Sequence, residues 1–104
     1  MKIVTICGSI KFLNEMITIS TDLEKNFGWC VLQCVYDISK EINNEEMEKI
    51  KNSHFKKIDI SDAIYVVNIN GYIGSSTKNE IEYAIKNNKE VIYHEKFWLR
   101  MYCL

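Results

Sequence analysis

The sequence contains no proline and only four glycines in 104 residues. With so few backbone breakers, no Pro-rich or Gly/Ser linker divides the chain, and no internal repeat is visible. Residues 1–104 are therefore expected to fold as a single domain, large enough for one hydrophobic core. Long apolar runs are also missing. Stretches such as Ala63 to Val67 fall far short of the roughly 18 residues that a membrane-spanning helix needs. Charge of one sign is not in excess: the net charge of −1 gives no general attraction to nucleic acid polymers or anionic membranes. The amino-terminal MKIVTICGSIKF does not read as a signal peptide, because Gly8, Ser9 and Lys11 interrupt its apolar run. None of the cysteines (Cys7, Cys30, Cys34 and Cys103) forms a CxxC pair, and His54 and His94 lie far apart. Sequence spacing therefore marks no zinc site, and neither metal nor cofactor is expected. The four cysteines read as reduced thiols of a cytoplasmic protein.

What is present is an alternation of short apolar strands and polar-faced helices. Lys2 to Cys7 is an apolar run ending at Gly8-Ser9, the pattern of a buried strand. From Lys11 to Phe27 the apolar residues recur at helical spacing, and Gly28 ends the segment. Trp29 to Val35 reads as a second strand. Asn43 to Ile58 reads as a second helix with Met47, Ile50, His54 and Ile58 on one stripe. Ala63 to Ile69 is the expected third strand, Thr77 to Asn87 the third helix, and Glu90 to Tyr93 the fourth strand. The apolar end, Phe97 to Leu104, reads as a last helix or strand packed on the core or against a second subunit.

The order β-α-β-α-β-α-β predicts an α/β fold. It is expected to be a three-layer, doubly wound parallel sheet of about four to five strands, flavodoxin- or Rossmann-like. In such sheets ligands bind beyond the carboxyl ends of the strands. Those ends are Cys7-Gly8-Ser9, Tyr36-Asp37 and Asn68 to Ser76. The first and third carry Gly and Ser on the same sheet edge. Gly8-Ser9 suits an anion at a helix start, or simply a tight turn with a capping serine; it is neither a GxGxxG fingerprint nor a P-loop. Thr77-Lys78-Asn79-Glu80 fits a capping box. Glu80 also borders the apolar stripe of Ile81, Ala84 and Ile85, whereas Lys78, Asn79, Glu82 and Lys86 mark the solvent face. Glu80 is thus expected to lean toward the loops. Gly71 and Gly74 suggest a backbone that bends closely around something.

Three segments in order carry a family resemblance: Cys7-Gly8-Ser9-Ile10, Ser61-Asp62-Ala63-Ile64-Tyr65-Val66-Val67, and Gly74-Ser75-Ser76 through Glu80 to Ala84. They resemble the nucleoside 2-deoxyribosyltransferase-like superfamily, which includes the deoxyribosyltransferases and the 2'-deoxynucleoside 5'-phosphate N-hydrolases. The resemblance implies a small-molecule nucleoside or nucleotide substrate and Glu80 as the nucleophile that attacks C1' and displaces the base. It implies that Gly8 and Ser9 help hold the 5' end, with Ile10 also among the substrate-binding residues. Lys11 stands where related hydrolases have an arginine. Gly74, Ser75 and Ser76 would hold sugar or phosphate, with Asn70 and Tyr72 lining the pocket. The family's second acid falls on His54 here, which would take the proton role, with Asp62 or Asp59 as substitutes. The family's assemblies further imply a homodimer or larger homo-oligomer. Two other readings stand beside this one: a nucleotide-binding sensor or sequestering protein using the same pocket, and a structural protein whose loops are only caps and turns.

Overall fold

A computed structural model describes residues 1–35 and 41–102. Each strand is short and apolar, and each is followed by a helix with one apolar face. The order is β1 (Ile3–Cys7), α1 (Leu13–Phe27), β2 (Cys30–Leu32), α2 (Asn44–Asp59), β3 (Ala63–Val66), α3 (Ser75–Lys86), β4 (Glu90–Tyr93) and α4 (His94–Tyr102). Two short 3-10 turns, Ile10–Phe12 and Ile69–Gly71, follow β1 and β3. The four strands are all parallel and lie in the order β2-β1-β3-β4. This is the three-layer, flavodoxin-like α/β arrangement. The strand end expected at Tyr36-Asp37 lies outside the described residues, as do Cys103 and Leu104.

The period of two along each strand sends alternate side chains to opposite faces. Val4 and Ile6 of β1, with Ala63, Tyr65 and Val67 in and after β3, pack against Met16, Ile19 and Leu23 of α1. Phe97 and Trp98 of α4 join this cluster. Cys7, Ile64 and Val66 face the other way and pack on Ile58 of α2 and on Ile81 and Ala84 of α3. Helices α1 and α4 therefore cover one face, and α2 and α3 the other. Among the described residues no helix is long and apolar enough to cross a membrane.

Element ends follow local chemistry. Gly28 adopts φ +68° and caps α1, a left-handed conformation that glycine takes without steric cost. Asn43 caps α2 in a complete capping box with Glu46. The expected box at Thr77 to Glu80 does not form. Helix α3 starts two residues earlier, at Ser75, with Gly74 as its N-cap. Thr77 is buried inside the first turn. Strands two and three are shorter than their apolar runs, because Cys34 and Ile69 pack on the core after the ladder has ended. Ile85, expected on the apolar stripe of α3, is 60% exposed.

Candidate functional site

In this strand order β1 and β3 are neighbours whose crossovers leave in opposite directions. Crevices in such sheets open at that switch point, beyond the carboxyl ends of the strands. A cavity of about 330 Å³ lies there. Its polar floor is made by Gly8 after β1, His54 on α2, and Ser76 and Glu80 on α3. Its walls are Met16, Val35, Met47, Ile50 and Phe55. The stripe expected on α2 is therefore split in use. Ile58 is fully buried under the sheet, while Met47, Ile50 and His54 line the cavity.

Glu80 is the sixth residue of α3 and, as expected from its position, leans toward the sheet rather than solvent. Its side chain is 19% exposed and that of His54 13%. Glu80 Oε1 lies 3.3 Å from His54 Nε2. The same Nε2 lies 3.5 Å from Cys7 Sγ, at the end of β1. Burial pushes the Cys7 thiol well above its usual range, and the neighbouring Glu80 carboxylate pushes it the same way. Cys34 is a second thiol on the cavity wall; burial and then Glu80 raise it to about 11. Both cysteines are protonated thiols at neutral pH, so neither is an activated nucleophile. Among the described residues the cysteines are free.

Gly8 owes its identity to packing. A Cβ there would lie 2.9 Å from Met16 Sδ and 3.3 Å from Val67 Cβ, so the turn after β1 passes closely between α1 and the end of β3. Ser9 and Lys11 form a neighbouring rim with Tyr72 and Gly74. Ser9 Oγ accepts from the Lys11 amide, and the Lys11 ammonium sits 3.6 Å from the Tyr72 ring centroid. A Cβ on Gly74 would touch Tyr72 and Ser9 at ordinary contact distance. Ile10 lines the cavity; Ser9, Lys11, Asn70, Tyr72, Gly74 and Ser75 are not among its lining residues. Asn70 and Gly71 take left-handed backbone angles in the turn after β3. Helix α4 pins that turn, because Glu95 accepts from the Gly71 amide and donates its own amide to Asn68.

Asp62 is elsewhere. It immediately precedes β3, at the amino edge of the sheet, where its carboxylate accepts from the Ile3 amide at 2.8 Å. It ties the starts of β1 and β3 together and cannot reach Glu80 from the opposite edge, which corrects its assignment as a catalytic substitute. Asp59 lies at the carboxyl end of α2 on that same edge and accepts from the Tyr83 hydroxyl.

The cavity also contains residues that spacing along the chain did not mark. Cys34 and Val35 come from beyond the shortened β2, and Lys51 and Lys57 from α2. Lys51 sits three residues before His54, so the helical period that selected Ile50 and His54 places it beside them. Comparison with known protein families, curated proteins and solved structures finds no match to the chain.

Proposed function

We propose that this protein cleaves or transfers the N-glycosidic bond of a nucleoside or nucleotide, with Glu80 as the nucleophile. The observation that carries this reading is the Glu80 carboxylate in the switch-point cavity, partly shielded from water and 3.3 Å from His54 Nε2. A carboxylate so placed suits double displacement. Its oxygen bonds to C1' while the C1'–N bond breaks, and the electron pair leaves with the base, which takes up a proton. Water then attacks C1', loses its proton and frees Glu80. A second base in place of water completes a transfer instead.

His54 fits a positioning role better than the acid role expected for it. The two carboxyl groups of a retaining glycosidase stand about 5–5.5 Å apart, one on each side of the bond to be broken. At 3.3 Å, His54 sits on the nucleophilic oxygen itself. It orients that oxygen, and the departing base draws its proton from solvent at the cavity mouth.

The surroundings suit the substrate class. The apolar wall of Met16, Val35, Met47, Ile50 and Phe55 matches a flat heterocycle. The amides opening α3 receive no side-chain cap from Gly74, and Ser76 of that turn lines the cavity, where it can offer a donor to a sugar hydroxyl or a phosphate. Lys51 and Lys57 add positive charge on the cavity side. On this reading the protein is a cytoplasmic homodimer or larger homo-oligomer with no cofactor.

The test is a panel of 2'-deoxynucleosides and their 5'-monophosphates, with free base followed by chromatography. The expected result is release from at least one member. If no member releases base, the reading falls. A nucleotide that raises Tm without being cleaved would then identify a binding protein instead, since a ligand selective for the folded state stabilises it.

A further inference from the structure

We infer that Cys7, His54 and Glu80 form a binding site for a thiophilic divalent cation of the zinc class. The three side chains come from β1, α2 and α3, so no sequence spacing announces them. Their ligand atoms, one thiol sulfur, one imidazole nitrogen and one carboxylate oxygen, all lie within 4.8 Å of one another. Zinc bonds of roughly 2.3 Å to sulfur and 2.0–2.1 Å to nitrogen or oxygen, at tetrahedral angles, set the distances between ligands. They require about 3.5 Å between sulfur and nitrogen, and about 3.3 Å between nitrogen and oxygen. The observed separations are 3.5 Å for Cys7 Sγ to His54 Nε2 and 3.3 Å for His54 Nε2 to Glu80 Oε1. Two of the three edges of a zinc site are thus already set without movement.

The chemistry of the set agrees. Two anionic ligands neutralise a dication, and the neutral imidazole completes a mixed sulfur, nitrogen and oxygen donor set of the kind zinc and cobalt accept. Binding displaces the Cys7 thiol proton, so each ion bound releases a proton to solvent as the sulfur–metal bond forms. Two of the three ligands, His54 and Glu80, line the cavity, which leaves room on that side for water or another ligand as the fourth. Cys7 is fully buried beneath the site, which keeps its sulfur from alternative partners in solution.

The site does not rest on glycosidic chemistry, and the two compete for one carboxylate. A bound cation takes the oxygen that would attack C1', so zinc is an inhibitor of any activity that depends on a free Glu80.

The test is titration of the reduced, metal-free protein with Co²⁺, followed by competition with Zn²⁺ against a chromogenic chelator. The expected result is one equivalent of Co²⁺ per chain, with a thiolate-to-cobalt charge-transfer band and intensified visible bands of tetrahedral cobalt. Zn²⁺ should erase both. The charge-transfer band should vanish in Cys7→Ser and persist in Cys34→Ser. Glu80→Gln and His54→Ala should each weaken Zn²⁺ binding by at least about tenfold, with unchanged far-ultraviolet circular dichroism. No charge-transfer band in the wild type, a band that survives Cys7→Ser, or Zn²⁺ affinity indifferent to Glu80→Gln would each overturn the site. These readouts need no substrate, so they stand apart from the base-release result.

Discussion

At the scale of single residues, the site is a balance of close approaches. Gly8 is the clearest case. The sulfur of Met16 can swing aside, but Val67 Cβ at 3.3 Å from a new methyl belongs to a β-branched residue fixed by its backbone. Gly8→Ala is expected to cost about 1–3 kcal/mol through overpacking. Thermal unfolding should show a fall in Tm of at least about 4 °C. The thiols make a second prediction. With Cys34 held near 11 against an ordinary 9.0, its thiolate fraction at neutral pH is roughly a hundredfold below that of an unperturbed cysteine. Cys7 is shifted in the same direction. Alkylation by iodoacetamide, followed by peptide mass spectrometry, should modify both far more slowly than a model thiol. Glu80 and His54 show how a residue can be placed by sequence and still change meaning. Helical spacing put each on the inner face of its helix, but only the fold brings them to 3.3 Å, and the positioning role proposed above for His54 starts from that distance.

At the scale of elements, the helices determine which turns can carry function. The Ser-Ser-Thr segment opening α3 looked like a loop followed by a cap. With Gly74 as N-cap it becomes the first turn itself, and no side chain at the N-cap position caps it. A capping-box pattern is satisfied by many sequences, and here the burial of Thr77 against the core outweighed it. Asp62 was misjudged for a related reason. Proximity along the chain to an apolar strand does not say which end of the strand a residue occupies, and Asp62 occupies the amino end. Helix α4 braces the turn after β3 through Glu95, and its first residue, His94, bonds the Tyr65 hydroxyl at 2.7 Å. Burial lowers the His94 pKa below 6.5, with Glu95 acting weakly in the opposite sense. The folded state therefore favours neutral His94, and between the two pKa values the unfolded chain binds more protons. The stability from neutral His94 is complete above the unfolded pKa of about 6.5 and is lost as pH falls below it. Urea midpoints should fall between about pH 7.5 and about pH 5.5, and should fall less in His94→Phe.

At the scale of the whole molecule, the alternation of apolar runs with amphipathic helices was enough to read a parallel, doubly wound sheet. Glycine and serine after β1 and β3 were enough to place the crevice on one edge. What stayed illegible depends on contacts between elements distant in sequence. Cys34, Lys51 and Phe55 meet at one cavity because the chain after β2 and helix α2 converge on it, which no local period encodes. The strand order β2-β1-β3-β4 places Gly8 and Glu80 beside each other across the β1–β3 switch point. The central claim is that Glu80, held there by His54, does the chemical work. It is tested most directly by comparing wild type with Glu80→Gln on the best substrate of the deoxynucleoside panel, measuring base release and thermal shift on the same samples. Loss of a nucleophile predicts that base release falls by at least about a thousandfold. The ligand-induced rise in Tm should persist, since the amide keeps the shape of the pocket. Base release that continues in Glu80→Gln at a rate near that of wild type would contradict the account.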